Sequence, residues 1–178
     1  RQLPPMPEQD QKPDDNKIKQ RNLLVVLINK HDRLLVNGEE IRVEQLRERT
    51  IDFIENLTQD ENLPEKANEV IQIKNPKYYP GSELPKKIPH KLFEQRYPDG
   101  YPVSKGVISL QNDRGTSYKM YIDVQNELVA AYNIVRNNLS MRMFQKPMEE
   151  LTDENDLDAI RAAIPQRISE AEPKNIGN

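Results

Sequence analysis

The chain has 178 residues, 35% hydrophobic, 31% charged and 6% aromatic, with 14 prolines, no cysteine and a net charge of −3. That length suits one medium domain with polar tails, and Lys and Arg scattered among Asp and Glu speak against a nucleic-acid partner. Without cysteine there is no disulfide framework, thiolate nucleophile or thiolate metal site, and the longest apolar run, Leu23 to Ile28, falls far short of the ~20 residues of a membrane-spanning helix.

In chain order, residues 1–22 hold Pro4, Pro5, Pro7 and Pro13 and no aromatic residue, too little apolar surface to offset the entropy of ordering them. They read as a disordered tether. The start at Arg1, with neither a Met nor a signal-peptide pattern, points to processing or to a larger parent protein. Leu23 to Ile28 is apolar on both faces and reads as a central strand. Leu34 to Val36 returns as its hairpin partner, and Asn37-Gly38 leads into a third short strand through Glu40 to Arg42. From Val43 the period lengthens: Leu46, Thr50, Phe53, Ile54 and Leu57 share one helical face.

Residues 58–105 hold half of the 14 prolines and four of the seven tyrosines. Val70, Ile71 and Ile73 read as an edge strand, but the prolines exclude a sheet interior or a long helix, so the segment reads as a long Pro-rich insertion, mobile or functional. Tyr78, Tyr79, Phe93, Tyr97 and Tyr101 are its expected anchors to the core. Val107, Ile108 and Leu110 then form a strand, Asn112 to Gly115 a turn, and Thr116 or Ser117 a helix cap. Tyr121, Val124, Leu128, Ala131, Tyr132, Val135 and Leu139 recur at spacings of three and four, so the helix buries one side over roughly 35 Å. A last helix is capped by Thr152 or Asp153 and stopped by Pro165, a short strand lies around Ile168, and residues 173–178 should fray.

The search for chemistry begins with the histidines, the side chains that titrate nearest neutral pH. His31 and His90 both sit in polar loops without a nucleophile motif nearby and read as exposed loop residues. The serines lack a nucleophile elbow, the glycines form no phosphate loop, and no metal set converges. The expectation is therefore a non-enzyme with no catalytic, metal or cofactor-binding residue. Asp113 and Arg114, ahead of a helix N-terminus, are placed to meet a ligand, although Asx-Gly sequences are more often plain turn formers.

The hairpin LLVVLINKHDRLLVNGEEI, the helix VEQLRERTIDFIENL and the strand, turn and helix VISLQNDRGTSYKMYIDVQNELVAAY together resemble the periplasmic domain of the ExbD/TolR biopolymer transport proteins, in the long form found in Bacteroidetes-type bacteria. The pattern is carried by Ile108, Leu110, Asp113, Tyr118, Ile122, Val124 and Leu128, and Leu3-Pro4 resembles the pair that follows the family's transmembrane helix. The resemblance covers residues 23–57 and 107–139.

It implies a two-layer α/β sandwich with a small mixed sheet, helices on one face, and a single domain over 23–172 interrupted by the 58–105 insertion. It further implies the periplasmic part of a single-pass inner-membrane protein, a coupling module that passes proton-driven motion to a TonB-like protein. An ExbB-like channel subunit would be met through a transmembrane helix that this chain lacks, and the domain would form a homodimer. Leu3, Pro4, Asp113 and Tyr118 become the expected partner-binding residues. A TolR-like subunit that grips peptidoglycan is the alternative within the family. An enzyme whose site lies in the insertion, with His90 and Asp99, is the alternative outside it. The 58–105 insertion and the stretch from Ser140 to Pro165 depart from the shorter family members.

Overall fold

The computed structural model describes residues 18–173 and 175. Its centre is a five-stranded sheet in the order β3-β2-β1-β8-β9. β1 (Leu23–Ile28) pairs with β2 (Leu34–Val36) antiparallel on one side and with β8 (Val107–Asn112) parallel on the other. β3 (Glu39–Ile41) is one edge, and β9 (Ile168–Glu170), parallel to β8, is the other. The fold is a two-layer α/β sandwich, as the alternation of strand and helix periods implies.

Although every residue of β1 is apolar, the pleat sorts them. Leu24, Val26 and Ile28 are buried together with Ile108 and Leu110 of β8 and Leu34 and Val36 of β2, while Leu23, Val25, Leu27, Leu35 and Val107 on the opposite face are only half-buried. The β2–β3 hairpin turns at Asn37 (φ 50°) and Gly38 (φ 87°), the left-handed pair that matches the twist of flanking strands. The Asn37 side chain also accepts from the Val25 amide at 2.8 Å.

The helical layer covers the buried face. α1 (Leu46–Glu55) follows a 3-10 turn at Val43–Gln45 and buries Leu46, Thr50, Phe53 and Ile54. Leu57, expected on that face, is 78% exposed, because Asn56 turns the chain into the left-handed region (φ 39°) and ends the helix first. α3 (Tyr118–Phe144) is the long helix, at 27 residues about 40 Å by rise per residue. Its buried row of Val124, Leu128, Ala131, Tyr132, Val135, Leu139 and Met143 extends the expected stripe by a turn. Arg47 grips Glu127 with two hydrogen bonds, 2.8 and 3.3 Å, joining α1 to α3. α4 (Glu154–Ala163) is capped by Asp153 and leads through Pro165 into β9.

The insertion is folded. β4 (Lys66–Glu69) pairs with β7 (Tyr101–Ser104), and within that pair β5 (Gln72–Lys74) pairs with β6 (Lys87–Pro89); the short helix α2 (Lys91–Arg96) precedes β7. Every strand here is an edge strand, which is how Pro89 and Pro102 are accommodated. Phe93, Tyr97 and Tyr101 stack edge to face or offset with centroids 4.9–6.2 Å apart, and Phe93 is buried. Tyr79, expected as a further anchor, is 63% exposed.

The boundary expected at residue 22 also shifts. Gln20–Asn22 form a 3-10 turn, and Asn22 is buried. Its amide donates to Glu65 Oε1 (3.1 Å), its Oδ1 accepts from the Glu65 amide (2.8 Å), and Arg21 Nε donates to Leu63 O at 2.7 Å. The end of the expected tether is thus fastened to the start of the insertion. At the other terminus, Arg114 donates to the carbonyl of Pro173.

Candidate functional site

β1 and β8 run parallel, so their C-terminal ends lie side by side, the usual position of sites in open α/β sheets. The turn after each strand is built from side-chain acceptors. After β1, Asn29 Oδ1 accepts from the amides of His31 and Arg33, both at 2.9 Å. After β8, the Asp113 amide donates to Ile28 O, and its carboxylate accepts from the Gly115 amide at 2.8 Å. Thr116 then donates to the carbonyls of Ile28 and Asn29, each at 3.1 Å, and the Ser117 amide donates to Asp32 Oδ1 at 2.8 Å. The two turns form one cross-linked unit.

This arrangement decides what Asp113 does. It is 5% exposed, and its carboxylate holds the turn in the manner of an Asx turn. A side chain at position 115 would meet Lys30 Cβ at 3.0 Å, which suits the glycine there. Ser117 Oγ accepts from the Met120 amide and caps α3. The chain's own Asp32 and Ser117 therefore supply acceptors at the helix start where an external anion would sit. Tyr118 is different: at the first position of α3 it is 80% exposed. Of the four residues expected to bind a partner, Asp113 is inside the turn and Tyr118 stands on the surface beside it. Leu3 and Pro4 lie outside the described residues.

A second polar cluster was not legible as such. His90, expected to be an exposed loop residue, is 6% exposed. Its Nδ1 accepts from the Phe93 amide (3.4 Å), capping α2, and its Nε2 lies 2.7 Å from Asp156 Oδ1 in the first turn of α4. A ring nitrogen that accepts carries no proton, so the Nε2–H tautomer donates to Asp156. The ring also packs edge-on against Phe93 and Phe144, with centroids at 5.4 and 5.8 Å. The correction has a simple cause: the residue before a helix is polar in sequence whether it faces water or caps the helix from inside. Both ring nitrogens of His90 are engaged, and Asp99, considered with it as a catalytic pair, is exposed in the turn before β7. His31 is exposed.

Tyr121 of α3 donates to Glu170 of β9, and Gln125 donates to the same carboxylate at 3.1 Å. Burial, then the bond to Glu170, pushes the Tyr121 phenol up to about 12. These contacts fasten the last strand to the helix layer. Among the described residues no group of three or more His, Asp or Glu side chains is placed to hold a metal ion, and no helix is long and apolar enough to cross a membrane. No protein-family model matches the chain, and no curated protein matches it.

Proposed function

We propose that this chain is the periplasmic coupling module of a proton-motive-force-driven inner-membrane motor of the ExbB–ExbD–TonB type, passing motion to a TonB-like protein for outer-membrane transport. The observation that supports it best is the pairing of β1 with β8. These are the two strands on which the resemblance rests, and they run parallel and in register from Leu23↔Val107 to Ile28↔Asn112 at the sheet centre. The chain arriving from the N-terminal side runs directly into β1. A pull along that strand is resisted by ladders on both sides at once, the geometry that suits a part whose task is to transmit force.

The sheet face away from the helices carries the half-buried Leu23, Val25, Leu27, Leu35 and Val107. Of the two edges, β3 is blunted by Glu39 and Glu40, which pair with Arg49 and Arg33. The reading therefore assigns the β9 edge to a second copy or to an extended segment of a TonB-like partner.

The gene sequence immediately upstream of Arg1 tests the reading. It is expected to encode about 20 apolar residues interrupted by one Asp, after a short basic tail; a soluble domain there would refute it. Pull-down with a TonB fragment, run beside sedimentation with purified cell wall, distinguishes the coupling role from a TolR-like grip on peptidoglycan.

A further inference from the structure

A pocket of about 80 Å³ opens where the end of α1, the β4–β7 pair of the insertion, the second half of α3 and the end of α4 meet. Phe53, Val135 and Ile164 make its inner wall apolar, and Lys66, Tyr101 and Arg142 bring polar ends to it. Glu55 also lines it, so cations outnumber carboxylates. Partial burial lowers the Lys66 ammonium from its ordinary range, and the charge of Arg142 adds to this while Glu55 opposes it. Tyr101 is raised by burial, and the charge of Arg142 works the other way. Lys66 and Arg142 thus act on the same small space, two cationic heads beside an apolar wall. The backbone of Arg142 is held in turn, since its carbonyl accepts from Arg96 at 2.9 Å.

Size narrows the occupant. An enclosed apolar cavity of ~150 Å³ takes benzene; about half of that volume suits a branched aliphatic group better than a ring. Charge narrows it further, because a cationic rim selects a carboxylate. We propose that this pocket binds the C-terminal residue of a peptide, its short branched aliphatic side chain against Phe53, Val135 and Ile164 and its terminal carboxylate between Lys66 and Arg142. The mouth argues for a peptide over a free acid. Leu57, 78% exposed, and Pro102, which also line it, form its apolar lip. A free acid would leave that lip wet, whereas the residues preceding a C-terminus would cover it. The insertion supplies Lys66, Tyr101 and Pro102, so the site exists because the insertion is folded. It does not depend on the motor reading.

The test is a titration of the 178-residue chain with short peptides ending in Val or Leu, followed by amide chemical shifts and by calorimetry. Each peptide is paired with its C-terminally amidated form, and isovalerate serves as the free acid. Saturable binding is expected, with shifts around Lys66, Tyr101 and Arg142. Amidation, Lys66→Met and Arg142→Gln should each weaken it about tenfold, the scale of one hydrogen bond to a charged group. Isovalerate should bind more weakly than the peptides. Equal affinity of the amidated form, isovalerate binding as tightly as the peptides, or no saturable shift at millimolar peptide would each overturn the proposal. Neither substituted residue belongs to the buried core, a thermal melt checks that the variants fold, and the amidation comparison needs no variant.

Discussion

Replacing His90 by Ala separates a packed histidine from a surface one. The substitution removes the acceptor for the Phe93 amide, at 3.4 Å a long cap bond and so at the low end of the ~0.5–2 kcal/mol range for helix caps. It removes the 2.7 Å bond to Asp156, worth about 1 kcal/mol net, and two edge-on ring contacts, with Phe93 and Phe144, worth about 0.5–1.5 kcal/mol each. The loss comes to about 3 kcal/mol, in the range of side chains that create a core cavity. For a chain of this size that lowers the melting temperature by about 6–12 °C. Asp156→Ala removes the hydrogen bond and leaves the rings in place, so it should cost about 1 kcal/mol, or 2–4 °C. Thermal melts followed by circular dichroism measure both. If His90→Ala melts within about 1 °C of wild type, the packing argument fails and the histidine behaves as the exposed residue its sequence context suggests.

Leu128→Ala, at a fully buried position of α3, should cost about 2–5 kcal/mol in urea unfolding, and a loss under 1 kcal/mol would mean that α3 is not seated as described. Gly106→Ala would place a methyl 2.8 Å from the Phe53 ring and 3.0 Å from Pro64, and should cost about 1–3 kcal/mol by the same assay; a neutral result would deny that close approach. Asn22→Ala breaks a reciprocal pair of bonds to Glu65 and should expose residues 18–22 to hydrogen exchange faster than β1; unchanged exchange would deny the clamp. Tyr121 is neutral until about pH 12 in the folded chain but ionises near 10 when unfolded. The unfolded chain then binds fewer protons, so this stabilisation is complete below pH 10 and is lost as pH rises toward 12. The stability gap between wild type and Tyr121→Phe should accordingly narrow over that window, and a constant gap would rule out the linkage.

What the sequence disclosed follows from how local each cause is. β1, the Asn37-Gly38 turn, the Ser117 cap and the stripe of α3 are set by neighbours within a few residues, and they stand where periodicity and turn chemistry put them. The insertion was opaque for the opposite reason. Lys66–Glu69 pairs with Tyr101–Ser104, and Asn22 with Glu65, and in a strand such as Lys66–Glu69, where three of the four residues are polar, alternation does not announce a partner so distant. Asp113 was found by its position ahead of a helix, but whether its carboxylate faces a ligand or the Gly115 amide depends on where the β1 turn lies. The pocket was out of reach altogether: Lys66, Tyr101 and Arg142 come from three separate segments, and no spacing relates them.

The folded insertion changes how a displacement at one end of the domain would reach the other. A long excursion between two core elements costs little by loop entropy alone, and a slack one would leave the core mechanically unaltered. Here it is tied down at several places: Glu65 to Asn22 at the foot of β1, Arg96 to the Arg142 carbonyl near the end of α3, and His90 to Asp156 at the start of α4. Arg167, just before β9, donates to the Ser104 carbonyl of β7 at 2.6 Å. The first and last of these ties sit at the two ends of the path from the incoming chain to the β9 edge. A displacement at residues 19–22 therefore reaches β9 by two routes, directly across β1 and β8 through the sheet, and around it through β4 and β7. Two parallel routes make the strands less free to slide past one another than the sheet ladders alone would. In a force-transmitting domain the insertion would act as a brace, and cutting it out would remove the clamp on β1 and the support of β9 together.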